Sequence, residues 1–334
     1  MPDRASVNQV VQIGVESVSG SGVPANKLLS ALSITPSVKS EVDTFKPKGQ
    51  KLATVATPNK EWTEAGLEGR ATYDEIIYPC SGLLGAGTVA QIMDGATGTG
   101  AYQWDWTLSG TGSVTPKTFT VEEGSSVRAH KFSYGLITGL SLTFDDGGVQ
   151  IGGSMIGQRL TDGITLTASP TSVALVPVAR PHLNVYLADT AAGLDSATAL
   201  ERAISGSVDI SGLTGPIWTL NRANSSWAAH IETDPTATAK LKLAADATGM
   251  GLLSQLRSGA TKFMRFEAVG DTIYSGAVTA KYTLRADLAL KVKEIGGFED
   301  SDGLYAIEYT FDVAHDSTFA AGAKLRLINK TSGL

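Results

Sequence analysis

Apolar and polar residues alternate with period two wherever the pattern along the chain is clear. Leu284, Ala286, Leu288, Leu290 and Val292 alternate with Arg285, Asp287, Lys291 and Lys293, the pattern of a half-buried strand. A turn follows at Glu299-Asp300-Ser301-Asp302-Gly303. Beyond it Tyr305, Ile307, Tyr309, Phe311 and Val313 fall on one face, with Glu308, Thr310 and Asp312 on the other. The pair predicts a long β-hairpin. The same figure stands earlier, where Leu140, Leu142 and Phe144 alternate with Ser141 and Thr143. It continues through Asp145-Asp146-Gly147-Gly148 into Val149, Ile151, Gly153 and Met155.

One helix signal precedes each hairpin. Thr72-Tyr73-Asp74-Glu75 fits a capping box before Ile76 and Ile77, with Pro79 predicted to keep the helix short. In the second half Thr248 is placed to cap a helix through Met250, Leu252, Leu253 and Leu256, with Arg257 in its last turn and Gly259 as its stop. Strand-like segments at 61–70 and 240–245 come before them, so the order strand, helix, hairpin is repeated. The first copy carries about 20 residues more between its helix and its hairpin turn. The Gly-rich stretch Gly95-Ala96-Thr97-Gly98-Thr99-Gly100 is the natural place for that surplus. Pro170, Pro177 and Pro181 interrupt strand continuity over Ala168 to Pro181 and mark a boundary. These readings divide the chain into a first domain at 1–170, including an N-terminal arm, a linker at 171–181 and a second domain at 182–334.

Composition narrows the classes. A chain of 334 residues exceeds one ordinary hydrophobic core, and 42% hydrophobic content is too high for disorder. Charged residues reach 18%, against about 25% in typical domains, while glycine is enriched at 37 residues. A formal charge of −6 argues against an electrostatic clamp on nucleic acid or anionic lipid. Cys80 is the single cysteine, so neither an internal disulfide nor a CxxC pair is available. The start, Met1-Pro2-Asp3-Arg4, leads into polar residues with no apolar signal region, which predicts synthesis in the cytoplasm. The uncharged stretch from Ile76 to Met93 is broken by Pro79, Gly82, Gly85 and Gly87 and does not predict a membrane span.

Candidate chemistry is sparse. Gly85-Ala86-Gly87-Thr88-Val89-Ala90 matches a dinucleotide fingerprint, with Asp105 downstream, but the flanking pattern predicts a loop rather than a strand-turn-helix. His130, His182, His230 and His315 have no metal-ligand spacing, and Asp300-x-Asp302-Gly303 is only a fragment of a calcium loop. Asn224-Ser225-Ser226 and Asn329-Lys330-Thr331 are formal sequons without a secretory context. No catalytic set emerges, and neither cofactor nor metal is expected. Trp104, Trp106, Trp218 and Trp227 read as core or interface packing, with carbohydrate stacking as the competing reading.

The path from Ala31-Leu32-Ser33-Ile34 to Glu61-Trp62-Thr63-Glu64-Ala65-Gly66-Leu67-Glu68-Gly69, the helix near Thr72, the hairpin from Tyr134 to Gln158 and the closing strand Lys324 to Lys330 together resemble the tail tube (major tail) proteins of bacteriophages with long non-contractile tails. The resemblance implies a mainly β fold, with two tandem tail-tube-like β-sandwich or barrel domains, each flanked by one short α-helix. It implies self-assembly into stacked rings of a virion tail. Tape-measure, terminator and tail-tip proteins would be the partners, viral DNA would pass through the lumen without specific binding, and no membrane is involved. A ring of six tube domains would then need three chains; a hexamer whose second half is a decorating domain is the alternative. A non-enzymatic β-sandwich binding module is the competing class. Two long polar connections, from Lys46, Lys48 and Lys51 to Lys60 and from Asn221 and Arg222 through Asp234 to Thr238, are expected to reach a neighbouring ring. Asp145, Asp146, Glu308 and Asp312 are candidates for an acidic lumen lining that does not hold DNA.

Overall fold

The computed structural model describes residues 8–220, 225–245, 252–301 and 303–334. The first half contains β1 (Val10–Val15), β2 (Lys27–Leu29), β3 (Leu32–Phe45), β4 (Val55–Arg70), α1 (Ile77–Leu84), β5 (Thr88–Asp94), β6 (Thr97–Leu108), β7 (Phe119–Gly124), β8 (Ala129–Asp145), β9 (Gly148–Gly157), β10 (Thr161–Ile164) and β11 (Thr171–Ser172). The second contains β12 (Leu183–Ala188), β13 (Ala203–Ser211), β14 (Thr214–Ile217), β15 (Ala229–Glu232), β16 (Thr236–Ala244), α2 (Leu253–Ser258), β17 (Lys262–Ser275), β18 (Thr279–Ser301), β19 (Leu304–Val313) and β20 (Ala323–Asn329). The fold is mainly β, as the period-two patterning predicts.

Both long hairpins form where the alternation places them, as β8–β9 and β18–β19. The strand pairings of the two halves follow the same path. In the first, β1 pairs with β7, β7 with β8, β8 with β9, β9 with β4 and β4 with β3, while β10 lies on β8. In the second, β12 pairs with β17, β17 with β18, β18 with β19, β19 with β16 and β16 with β13, while β20 lies on β18. The hairpin β5–β6, which holds the Gly-rich stretch, has no counterpart on the second path; it pairs with β20 instead. The hairpin β14–β15 is the corresponding extra of the second half.

The halves are not separate bodies. β8 pairs with β13 across the midpoint of the chain. One hydrophobic cluster takes in Trp106, Leu142 and Phe144 together with Phe266, Leu288 and Leu325. Phe144 and Phe266 stack with ring centroids 4.5 Å apart. The 171–181 segment is tied to the first half, since β11 runs parallel to β2 and the Val178 amide donates to the Ala71 carbonyl.

Two local expectations change. Thr72 Oγ1 accepts the Glu75 amide at 3.1 Å, but the Glu75 carboxylate does not turn back to complete the box. It is fully buried and accepts the amides of Ser30, Ala31 and Leu32 at 2.7–3.1 Å, pinning the start of β3 to the helix. Pro79 lies in the first turn of α1, where amides have no intrahelical acceptor to lose. The helix is short, but Gly85, at φ 84°, ends it rather than Pro79. Gly85 and Gly87 therefore follow a helix and precede β5, the reverse of a dinucleotide turn. α2 and its stop at Gly259 (φ 64°) are present, while the predicted cap Thr248 lies outside the described residues.

Candidate functional site

An extended surface is formed by one face of an eight-stranded antiparallel run in the order β3-β4-β9-β8-β13-β16-β19-β18, with the C-terminal half of β18 at its end. Because strand side chains alternate, each strand gives one set to the core and one to this face. Ile34, Leu67, Ile151, Leu142, Val208, Leu241 and Tyr309 go to the core, all nearly inaccessible.

The opposite set is small and polar except at one end, where Trp62, Ile156 and Leu136 lie on this side and pack with Trp218 and Trp227. Residues directly across from one another form continuous rows, one running Thr35, Gly66, Ser154, Gly139, Ser211 and Thr236. The next runs Ser33, Glu68, Gly152, Ser141, Asp209, Thr238 and Asp312. Rows of Ser, Thr, Gly and acidic residues thus cross the midpoint of the chain.

Charges on this face are mixed: four lysines meet carboxylates, while Lys291, across from Asp312, donates to the Gly259 carbonyl. Lys39 meets Glu64 at 3.7 Å, Lys240 meets Glu308 at 3.1 Å, Lys242 meets Glu299 at 2.9 Å and Lys293 meets Asp312 at 3.0 Å. Arg70 donates to the Gly147 carbonyl at the β8–β9 turn. Glu68, Asp145 and Asp209 add further negative charge, so no basic stripe forms. Of the acidic residues singled out from sequence, Asp145, Glu308 and Asp312 lie on this face; Asp146 is exposed at the hairpin turn.

The predicted connections are shorter than the sequence suggests. Strand structure continues to Phe45 and resumes at Val55, so β3 and β4 extend beyond the sheet as an exposed hairpin arm with Lys46, Lys48 and Lys51 at its tip. Lys60 lies within β4, 2.8 Å from Glu41 and over the Trp218 ring. The second connection is not a free loop. Residues 229–232 form β15, β16 begins at Thr236, and Asp234 sits exposed between them; Asn221 and Arg222 lie outside the described residues. Trp227 is fully buried against Tyr134, and its indole N–H donates to the Gly157 carbonyl at 3.1 Å. Apolar packing of Trp218 and Trp227 on β4 and β8 overrides the polar look of this segment.

The most enclosed polar cluster among the described residues is satisfied internally. A half-open cavity of about 510 Å³ is lined by Arg265, Asp287, Asp195 and Arg285. These groups satisfy one another: Arg265 grips Asp287 at 2.6 Å and Asp195 at 2.8 Å, and Arg285 reaches Asp287 at 2.7 Å. Burial holds the Asp287 carboxyl above its usual range despite Arg265. Burial likewise pushes the Cys80 thiol up to about 12, the opposite of an activated nucleophile. Among the described residues no three His, Cys, Asp or Glu side chains are grouped to hold a metal, and no helix is long and apolar enough to cross a membrane. Trp104 and Trp106 stack on each other in the core, with indole donors bonded to Thr331 and Gly85 carbonyls.

Sequence reading missed the two edges of the eight-stranded run that have no strand partner among the described residues. One is β3, and the other is the C-terminal half of β18, where Phe298 is 60% and Tyr305 72% exposed on the face that elsewhere meets the core. The signal available was the apolar pattern of the second hairpin continuing past the point where the first is covered. No known family model and no curated protein matches the chain.

Proposed function

We propose that this chain is the structural subunit of a hollow tube, assembled as stacked rings in a bacteriophage tail, through which DNA passes. The observation that carries this reading is the pair of polar rows that cross the eight-stranded run from one half of the chain to the other. A wall that conducts a polyanion without binding it needs small, hydroxylic and acidic side chains with its cations neutralised, because each phosphate contact by a free Lys or Arg adds a salt-sensitive attraction. Lys39, Lys240, Lys242 and Lys293 all have carboxylate partners on this face.

The matching strand paths support two tandem tube-like domains rather than one tube domain with a decoration. By the resemblance to tail tube proteins, a ring of six such domains takes three chains. In this reading the protein is a virion component, not an enzyme, and meets tape-measure, terminator and tail-tip proteins. A carbohydrate-binding module would present its tryptophans, whereas Trp104, Trp106 and Trp227 are buried.

Negative-stain microscopy of the purified protein, alone and with tail-tip fractions as initiator, tests the proposal. Hollow rods of uniform width are expected. A chain that stays single at all concentrations in both conditions would overturn it.

A further inference from the structure

The way one copy joins the next is written inside the chain. Resting on the tube reading, we propose that rings close by pairing β3 of one copy with the C-terminal half of β18 of its neighbour, in the register of the internal β8–β13 joint. On the two parallel strand paths, β8 corresponds to β18 and β13 to β3, so the internal joint is already a join between the last strand of one four-strand unit and the first of the next. The eight strands alternate in direction without exception. Their number is even, so the free edges run antiparallel when copies are set head to tail, and the ladder continues across the joint.

The register can be transferred residue by residue. β4 and β16 align through their partners on β9 and β19, which places Ile34, Pro36 and Val38 at the positions of Gly206, Val208 and Ile210. β8 and β18 align the same way, placing Asp300, Phe298 and Ile295 at the positions of Phe144, Leu142 and Leu140. Internally Val208 faces Leu142 and Ile210 faces Leu140. Across the outer joint Pro36 therefore faces Phe298, and Val38 faces Ile295. Val38 is 52% and Phe298 60% exposed in the single chain, and the joint removes both from water.

An independent check comes from charge. Gly139 faces Ser211 internally, and their counterparts are Glu294 and Lys39, so the transfer sets opposite charges across the joint. Pro36 has no N–H, so at most one donor is lost from the new ladder.

The same registers set the size of the ring. The row from Thr35 reaches β13 at Ser211, while the counterpart of Thr35 is Ser207; the rows thus slip four residues over four strands. One residue of stagger per strand tilts strands by about 35° in a closed barrel. Eight strands then supply about 47 Å of circumference per chain, so three chains enclose about 45 Å backbone to backbone and two only about 30 Å. Side chains take about 5 Å from each wall, which leaves room for a hydrated duplex only with three.

Disulfide trapping tests the joint. Thr35 and Glu299 are counterparts of the internal pair Ser207 and Thr143 and are both exposed, so Thr35→Cys with Glu299→Cys leaves the core untouched. Within one chain these positions lie about 34 Å apart, across seven strand spacings, and cannot bridge. Cys80 is buried and does not compete. Oxidation should give dimers, trimers and a closed trimer as the end of the ladder on a non-reducing gel. The control pair, Thr35→Cys with Glu294→Cys, should not link. Rods without Thr35–Glu299 links, or with links in the control pair, would overturn the joint and leave the tube reading standing. Closed linked rings without rods would uphold the joint and overturn the tube. Absence of both overturns both.

Discussion

At the residue scale, the folded state depends on a few buried polar groups whose partners lie far away in sequence. Glu75 accepts amides from three successive residues, Ser30 to Leu32 at the start of β3, with no basic partner at hydrogen-bond distance among the described residues. Glu75→Gln keeps the size but turns an N–H₂ toward those amides. We expect a loss of about 3 kcal/mol, read from the urea midpoint at unchanged m. A loss below about 1 kcal/mol would show that the amides find other acceptors. His230 gives a pH test. Its Nδ1 is 3.0 Å from the Tyr134 hydroxyl, and burial lowers its pKa from 6.5. The unfolded chain therefore takes up a proton that the folded chain refuses, and stability falls as pH drops through about 6.5. His230→Gln should flatten the dependence between pH 7.5 and 5.5, measured by urea unfolding at both; an unchanged slope would refute the assignment.

At the scale of elements, the β3–β4 arm extends past the sheet and carries exposed Phe45, Leu52 and Val55 with its tip lysines. An arm with so little burial adds little to the fold. Replacing residues 46–54 by an Asn-Gly turn should change stability by less than about 0.5 kcal/mol. The same deletion should stop rod elongation while ring-sized oligomers still form, which microscopy and size exclusion together can see. Rods of normal length would remove the arm from ring stacking. Both hairpins and both helices announce themselves locally, because turn chemistry and alternation act over a few residues. The β14–β15 hairpin does not. Its order comes from Trp218 and Trp227 packing on strands of the other half, and nothing within the segment encodes that contact.

At the scale of the whole molecule, one core crosses the midpoint of the chain. Calorimetry should therefore show a single cooperative transition, and 1–170 expressed alone should not fold, since β6 pairs with β20 of the second half and Phe144 stacks on Phe266. Two resolved transitions would contradict this. The lumen proposal also belongs here. Assembled rods should not retain duplex DNA at 0.15 M salt, where only charges within about 8 Å of the wall act on it. Glu308→Gln with Asp312→Asn frees Lys240 and Lys293, and should produce retention that weakens as salt rises. Salt-sensitive retention by the unmodified rods would count against a passive bore.

Legible in the amino-acid sequence are the mainly β class, the two long hairpins, the helix between strand and hairpin in each half and the polar side of β19. All follow from periods of two or 3.6 residues and from turn residues, which are short-range properties of a chain. The extra hairpin was legible as a surplus in spacing. Tertiary structure alone decided that β8 and β13 join the halves into one sheet, that Glu75 leaves its helix cap to hold the start of β3, and that β3 and β18 are left as edges. Pairing of strands distant in sequence is set by which apolar faces can be buried together, and alternation is the same for a strand with two neighbours as for one with a single neighbour. The polar positions could be listed strand by strand from the sequence, but their continuity across the two halves exists only through the register.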